Sequence, residues 1–323
     1  MNFAVVGTNF ITDWMLDAGK LCPEFSLVAV CSRSMERAKE YADRHGAKYA
    51  FDDLNDVCLC GEVDAVYVAS PTSFHAAQSM QLMKAGKHVL CEKPIASNAA
   101  ELRKMLECAS DNSVVLLEAM RPQFSPALCT IEGLLKSLGE IRHAAISFSQ
   151  YSSRYERFLS GEAVNTFNPE FSNGSLTDLG CYCIHVMLRL FGKPLKIQSS
   201  AVKLANGYDA AGAILADYDE KTAVLNYSKV SDTHCFSEIQ GEQTALQFRN
   251  PSNLKEVYII KRGGKPERVV TEMAEQDMLY ELRAFIDCAK NPAGISGHHG
   301  YSLEVMQIMD EVRRQNGIVY PAD

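Results

Sequence analysis

The chain has 323 residues, of which 47% are hydrophobic, and its formal net charge is −8. A chain of this length exceeds the usual single domain, so we expect two domains with separate apolar cores. The acidic balance and the absence of a lysine–arginine run argue against a nucleic-acid partner. No apolar run approaches the ~18 residues that cross a bilayer, and the first predicted strand begins at residue 2, so we expect a cytoplasmic protein without a membrane partner.

The first 118 residues alternate predicted strands with amphipathic helices. The predicted strands lie near 2–6, 26–31, 64–69, 87–91 and 113–117, and helices between them include 34–45, 73–85 and 98–109. This alternation predicts an α/β fold with a doubly wound parallel sheet, the Rossmann architecture, and makes this half a candidate for nucleotide binding.

The pattern changes after Pro122 and Pro126. The elements predicted beyond them are a helix at 124–137, alternating strands over about 194–270, and closing helices at 274–290 and 301–315. Turn signals between the strands favour a mostly antiparallel sheet. We therefore predict a nucleotide-binding domain over 1–120 and a substrate-binding and oligomerisation domain over 121–323.

The turn after the first strand reads Gly7, Thr8, Asn9, Phe10, Ile11, Thr12. A dinucleotide fingerprint would have G-x-G-x-x-G here, and only its first glycine is present. Gly7 suits a tight turn, and Asn9 is the non-glycine residue best able to adopt a left-handed backbone beside a pyrophosphate. Taken alone, the turn fits nucleotide binding or a plain strand-to-helix connection.

The second strand is followed by Ser32 and Arg33. An NAD enzyme usually has an acidic residue there to bind the ribose 2′-hydroxyl, whereas an arginine accommodates a 2′-phosphate. Arg37, one helical turn later, either adds a second cation or belongs to a solvated helix face. The sequence therefore favours NADP over NAD.

The residues Ser70, Pro71, Thr72 and His75 follow the next apolar strand and begin a helix. Hydroxyls and amides at a helix start can hold ribose or nicotinamide amide groups. An ordinary N-cap at Thr72 or Ser73 explains the pattern equally well, and an isolated histidine is often a surface or core residue.

The segment Gly86–Pro94 reads GKHVLCEKP, a short apolar strand that delivers Lys93 to its carboxyl end. In open α/β sheets, ligands bind outside the carboxyl ends of the strands. Lys93 is therefore a candidate reactive group, and Glu92 either braces it or serves as a structural hydrogen-bond acceptor.

A predicted helix from about Gly174 to Phe191 carries Asp178, Tyr182 and His185. At about 100° per residue these three fall within roughly 60° of arc on one face. The alternative is a helix with a capping aspartate and two amphipathic rings at its boundary.

Eleven cysteines are present, most of them in apolar segments, as expected for reduced, buried thiols. Neither of the two C-x-C pairs, at Cys58 and at Cys181, has a second pair at zinc-finger spacing. We expect no metal site.

Four segments together resemble the glucose-fructose oxidoreductase and inositol dehydrogenase family, called Gfo/Idh/MocA, over nearly the whole chain. They are the Val5–Gly7 turn, Ser70–His75, A-G-K-H-V-x-x-E-K-P at 85–94 and D-x-G-x-Y at 178–182. The D-x-G-x-Y form is similar to that of the dimeric dihydrodiol dehydrogenases and the xylose dehydrogenases, which are NADP enzymes acting on cyclic diols or aldoses. Gln123 departs from the family, which usually has arginine there.

The resemblance implies a Rossmann domain followed by an α/β domain whose open sheet faces the nicotinamide and commonly builds a dimer. It implies that Lys93 and Tyr182 form the acid/base pair and that Asp178 positions the substrate or the pair. We predict substrate contacts for these three residues and for His185. The predicted cofactor contacts are Gly7, Thr8, Asn9, Phe10, Ile11, Ser32, Arg33, Arg37, Ser70, Pro71, Thr72, His75, Glu92 and Lys93.

The sequence thus predicts an NADP-dependent oxidoreductase that transfers a hydride at a CH–OH carbon of a sugar, polyol or cyclic diol. An NAD-linked inositol-type enzyme fits less well, because that subgroup tends to have histidine where this chain has Tyr182. The alternative is a non-catalytic NADP-binding regulatory or sensor protein of the same fold. We expect a carbohydrate-like small molecule as substrate, and a homodimer or homotetramer.

Overall fold

The computed structural model describes all residues from Met1 to Asp323, in two compact units. The first unit comprises 1–120, 274–303 and Ala322, and the second comprises 121–273, 304–321 and Asp323. The prediction that 121–323 forms one continuous domain is wrong in this respect. Residues 274–303 pack with the N-terminal unit instead.

The first unit contains a six-stranded parallel sheet. Its strands are β1 (Asn2–Val6), β2 (Ser26–Cys31), β3 (Tyr49–Phe51), β4 (Ala65–Val68), β5 (His88–Glu92) and β6 (Leu116–Ala119). The spatial order is β3-β2-β1-β4-β5-β6, the doubly wound Rossmann order, so the predicted fold class is confirmed. The sequence pattern missed β3, because three residues at a sheet edge are too few to show a periodicity.

Helices connect these strands. They are α1 (Phe10–Lys20), α2 (Met35–His45), α3 (Leu54–Leu59), α4 (Thr72–Lys84) and α5 (Ala99–Asp111). The side chains of Asn9, Ser34, Asp53 and Asn98 accept hydrogen bonds from first-turn amides and so fix where four of these helices begin. The fifth, α4, begins after Pro71 with no side-chain cap, so the interpretation of Thr72 or Ser73 as an N-cap is wrong.

The second unit contains an eight-stranded sheet. Its strands are β7 (Ile141–Ser149), β8 (Lys196–Lys203), β9 (Asp209–Asp217), β10 (Thr222–Ser228), β11 (Ser237–Gly241), β12 (Thr244–Arg249), β13 (Glu256–Lys261) and β14 (Glu267–Val269). The order is β14-β13-β12-β11-β7-β10-β9-β8, and every pair is antiparallel except β7 with β10. The predicted mostly antiparallel sheet is therefore confirmed.

The strand β7 was not predicted, although it lies inside this sheet. Its Ala144, Ile146 and Phe148 are buried, and the residues between them are more exposed. This alternation with a period of two is that of a half-buried strand. Small residues on both faces weaken the pattern in the sequence.

The helices of the second unit are short, apart from one. They are α6 (Arg121–Phe124), α7 (Pro126–Leu134), α8 (Tyr155–Leu159) and α9 (Cys181–Phe191). Three 3₁₀ turns lie at Leu135–Leu138, Asn165–Phe167 and Pro169–Phe171, and a π-helical turn at Leu176–Gly180 leads directly into α9. The single helix predicted at 124–137 is thus α7, which begins at Pro126, followed by the 3₁₀ turn at Leu135–Leu138.

Two helices complete the chain, α10 (Met278–Lys290) and α11 (Ile295–Asn316). The helix α10 packs on α1, and the ring of Phe285 lies 5.7 Å from the ring of Phe3 in β1. This burial of aromatic surface assigns α10 to the first unit. No helix is both long enough and apolar enough to cross a membrane.

Candidate active site

The turn between β1 and α1 is tight and depends on side-chain hydrogen bonds. Gly7 has φ +104°, and a Cβ atom there would lie 2.6 Å from the Ala69 carbonyl oxygen, so only glycine fits. The Asn9 Oδ1 accepts from the Ile11 amide at 2.9 Å, and its Nδ2 donates to the Ala69 oxygen at 2.8 Å. Thr12 Oγ1 donates to the Gly7 oxygen at 2.9 Å. These bonds hold the turn where the fingerprint's later glycines are missing.

One expectation about this turn is wrong. Asn9 has φ −117° and ψ 176°, which is extended and not left-handed, because the residue serves as the N-cap of α1. The turn still suits a pyrophosphate, since Gly7 allows close approach and the N-terminus of α1 favours negative charge.

Hydroxyl and guanidinium groups lie close together where the end of β2 adjoins this turn. The Oγ1 of Thr8 and the Oγ of Ser32 are 3.4 Å apart, and Arg37 Nη2 donates to the Thr8 carbonyl oxygen at 3.3 Å. Ser34 caps α2, and the side chains of Arg33 and Arg37 are exposed. A 2′-phosphate needs such cations and hydroxyls, so the chain's own residues fit NADP.

The loop after β4 is connected to the loop after β5 by His75. This histidine is 1% exposed, its Nδ1 lies 3.0 Å from the Pro94 oxygen, and its Nε2 lies 2.8 Å from the Ser70 oxygen. Burial lowers the pKa of His75. Ser70 donates from Oγ to Gln78 at 2.6 Å. His75 therefore shapes both loops, and its direct contact with a cofactor stays a prediction.

Lys93 follows the last residue of β5, and buried polar groups fix its backbone. Glu92 is 7% exposed, accepts a short hydrogen bond from the hydroxyl of fully buried Tyr67, and accepts from the Lys93 amide at 3.1 Å. Glu92 is thus a buried hydrogen-bond acceptor, and by accepting from the Lys93 amide it also holds the backbone of Lys93. The strand end that carries Lys93 is held from β4 as well as from β5.

A second buried carboxyl lies behind the same loop. Glu118 of β6 accepts from the Ile95 amide at 3.2 Å and from the Ser302 hydroxyl at 2.7 Å. Burial raises the pKa of Glu118 to about 7, and the charge of Lys93 acts in the opposite direction. Sequence reasoning missed Tyr67 and Glu118, although a polar residue inside an apolar strand is the signal that marks both.

In the second unit, Asp178 lies in the π-helical turn and Tyr182 and His185 lie in α9. The prediction of one uniform α-helix is wrong at its start, so the even angular spacing does not hold from Asp178 onward. The Asp178 side chain is 36% exposed, whereas Tyr182 and His185 are 7% and 1% exposed. Burial lowers the pKa of His185 to about 3, so its ring is neutral. Single-turn π-helices are frequent at functional sites.

Two charged residues that sequence reasoning missed lie next to this turn. Lys229 forms an ion pair with Asp178 Oδ2, and buried Asp209 accepts from the Leu176 amide at 2.7 Å. Burial raises the pKa of Asp209 to about 7. An aspartate at the start of an apolar strand was the available signal for Asp209, and nothing local marked Lys229.

Comparison with known proteins agrees with these features. Residues 1–120 match the model described as oxidoreductase family, NAD-binding Rossmann fold, and residues 135–247 match the GFO/IDH/MocA C-terminal domain. The scyllo-inositol 2-dehydrogenase (NADP(+)) IolU of Bacillus subtilis is 41% identical over 325 residues, which cover 100% of this chain and 99% of that protein. The trans-1,2-dihydrobenzene-1,2-diol dehydrogenase of Sus scrofa is 26% identical and covers 100% and 99%.

A solved structure with the same fold is KijD10, a 3-ketoreductase from Actinomadura kijaniata in complex with NADP and TDP-benzene. Its TM-score is 0.89 at 22% identity, with 99% of each chain covered. The family models, the identity to IolU over the full length and this fold agree with the motif resemblance. The chain belongs to the Gfo/Idh/MocA family of oxidoreductases.

Proposed function

We propose that this protein is an NADP-dependent dehydrogenase that acts on a CH–OH carbon of a six-membered carbocycle bearing adjacent trans hydroxyls. The observation that carries the proposal is Lys93, which buried Glu92 and Tyr67 fix at the carboxyl end of a Rossmann strand. Ligands bind at that edge of such sheets. A proton-handling group must be held firmly there to meet a substrate hydroxyl.

The preference for NADP rests on the end of β2. Thr8, Ser32, Arg33 and Arg37 supply hydroxyls and cations, and the residues directly after the strand, Ser32 and Arg33, are not acidic. A carboxylate at that position would repel a 2′-phosphate. The name of the relative IolU includes the same cofactor.

The substrate class rests on what two relatives have in common. One is named for scyllo-inositol and another for trans-1,2-dihydrobenzene-1,2-diol. In both compounds neighbouring hydroxyls lie on opposite faces of a six-membered carbon ring. We infer that this chain recognises the same arrangement, with one hydroxyl carbon oxidised and its neighbour used for orientation.

The protein's own part in the reaction is to hold the substrate and move one proton. The nicotinamide supplies the hydride chemistry when it is bound. We assign the hydroxyl proton to the pair of Lys93 and Tyr182, because a lysine ammonium favours the ionised form of a tyrosine. Asp178 accepts a hydrogen bond from the neighbouring hydroxyl and orients the ring.

The test is a titration with NADPH and NADH, followed by NADP⁺ reduction with scyllo-inositol, myo-inositol and trans-1,2-cyclohexanediol. The matched control is cis-1,2-cyclohexanediol, which has the same atoms in the other configuration. We expect tighter binding of NADPH and faster turnover of the trans compounds. Preference for NADH would contradict the role of Arg33, and tight NADPH binding without any turnover would favour the non-catalytic sensor.

We also propose that a second copy of this chain binds on the outward face of the eight-stranded sheet. Val202 in β8 and Leu215 in β9 are 63% and 41% exposed on strands whose alternate residues are more buried. Exposed apolar side chains on an open sheet favour self-association. Light scattering should give a dimer or tetramer, and Leu215→Lys should shift it toward monomer, with exposed Lys104→Glu on α5 of the first unit as the control.

A further inference from the structure

Lys229 occupies a fixed place at the end of β10. Its amide donates to the Ala210 oxygen at 2.9 Å, and its carbonyl oxygen accepts from the Ser152 amide at 3.0 Å. The backbone on both sides of the residue is therefore hydrogen-bonded to neighbouring segments. A lysine side chain that starts from such a backbone has fewer positions open to its ammonium group.

The ammonium group of Lys229 pairs with Asp178 Oδ2. The lysine side chain is 14% exposed and the aspartate 36%, whereas the Arg142–Glu242 pair of the same unit is 53% and 52% exposed. An exposed pair contributes little because water screens it. A pair with a largely buried cation responds strongly to loss of one partner, since the remaining charge is left without compensation.

A buried tyrosine and a second acidic residue lie near Asp178, so the positive charge of Lys229 matters for the electrostatics of this region. The hydroxyl of buried Tyr208 experiences the charges of both Asp178 and Asp209. Asp178 lies in the π-helical turn, and its amide donates to the Gly174 oxygen at 3.0 Å. Two acidic side chains thus lie near one buried tyrosine, and Lys229 supplies positive charge to one of them.

We propose that Lys229 is a positioning residue that keeps Asp178 ionised and oriented as a hydrogen-bond acceptor for the substrate. The inference rests on the proposed function, because it assigns a task to Asp178. A carboxylate paired with a fixed ammonium group does not take the reaction's proton. It accepts a hydroxyl hydrogen and sets the angle of the ring, while proton transfer stays with Lys93 and Tyr182.

The first test compares Lys229→Met with Lys229→Arg, and uses exposed Lys104→Met on α5 as the control for loss of one positive charge. We expect kcat/KM of Lys229→Met to fall about 10- to 100-fold, since a small misplacement of a positioning group has effects of this size. The dissociation constant of NADPH should not change. Lys229→Arg keeps the cation and should recover most of the activity, which a purely packing role would not predict.

The second test is a double-mutant cycle with Asp178→Asn. If Lys229 acts through Asp178, Lys229→Met costs much less activity when Asp178 is already neutral. An equal loss in both backgrounds would overturn the inference, and so would full activity of Lys229→Met. If Lys229→Met does not fold, Lys229→Gln enters the same cycle.

The failure of this inference is distinguishable from that of the proposed function. If the unmodified protein turns over a trans diol with NADP⁺ but Lys229 does not couple to Asp178, only the positioning role is wrong. If the unmodified protein binds no NADPH, or turns over no compound of the panel, the proposed function fails first.

Discussion

The two units place their candidate ionisable groups by different means. In the first unit, Lys93 comes at the end of a buried parallel strand, and the neighbouring strands supply the hydroxyl of Tyr67 and the carboxyl group of Glu118. In the second, Asp178 lies in a π-helical turn and is paired with a lysine from the end of a distant strand. The first arrangement follows from local sequence, whereas the second depends on pairings that only the folded chain creates.

The largest effect is expected for Lys93→Met, which tests whether the strand end in the first unit positions the acid/base residue. If the strand end positions the acid/base residue, kcat/KM should fall by about 10²- to 10⁴-fold, the usual contribution of a general acid or base. Binding of NADPH should be preserved, because the hydrogen bonds of the Glu92 carboxyl group with Tyr67 and with the backbone amide of residue 93 remain. Steady-state kinetics and a fluorescence titration check both points. Exposed Lys84→Met is the control, and retained turnover of Lys93→Met would refute the assigned role.

Substitution of Gly7 tests how strongly the stability and the NADPH binding of the first unit depend on the geometry of one turn. Gly7→Ala combines a left-handed φ with a Cβ atom 2.6 Å from the Ala69 oxygen, and we expect a loss of about 2 to 4 kcal/mol in unfolding free energy, with NADPH binding lost. Gly46→Ala has φ +73° but open space around it. It should cost about 1 kcal/mol. Equal losses in urea unfolding would show that strain alone matters.

The buried carboxyl group of Glu118 predicts that the free energy of unfolding depends on pH. Burial raises the pKa of Glu118 from 4.5 to about 7, so the folded state holds a proton that the unfolded state releases. This contribution is fully present below pH 4.5 and is lost as the pH rises through about 7, a change of about 3 kcal/mol.

Glu118→Gln should remove the decrease in unfolding free energy that the protein shows as the pH rises. Relative to the unmodified protein, the variant should gain about 3 kcal/mol in unfolding free energy between pH 4.5 and pH 8. Urea unfolding at both pH values measures the difference, with exposed Glu107→Gln as the control. A constant difference between variant and unmodified protein would show that Glu118 does not titrate in this range.

The smallest expected effect concerns the cofactor phosphate. Arg33→Gln should raise the dissociation constant of NADPH about 10-fold and leave that of NADH unchanged, because a charge-assisted hydrogen bond to the 2′-phosphate is lost. Exposed Arg103→Gln on α5 is the matched control. Equal weakening of both dinucleotides would place Arg33 outside the phosphate site.

The sequence predicted the first unit better than the second for a physical reason. The strands β1 and β5 are buried on both faces and appear as short apolar runs between helices. The strand β7 lies next to β10, far away in the chain, and its alternating small residues gave no clear signal. The order of the second sheet follows from long-range pairing, which no local pattern contains.

Contacts between residues far apart in the sequence were also missed within the candidate site. The motif around Lys93 identified the residue and its strand end. Tyr67 and Ser302 were not predicted, because hydrogen bonds from β4 and from α11 to buried carboxylates depend on tertiary packing. Asn9 was correctly singled out for its place in the turn, but its conformation was wrong because capping of α1 prevailed.

Because α10 belongs to the first unit, the core of that unit is completed by residues that are synthesised late. Phe3 of β1 is wholly buried, partly by Phe285 near the other end of the sequence. Synthesis proceeds from the N-terminus, so the first unit keeps this apolar surface uncovered until residues 121–273 of the second unit and then α10 have been made. A fragment ending at residue 120 therefore lacks residues 274–303, which belong to the first unit and cover part of its core.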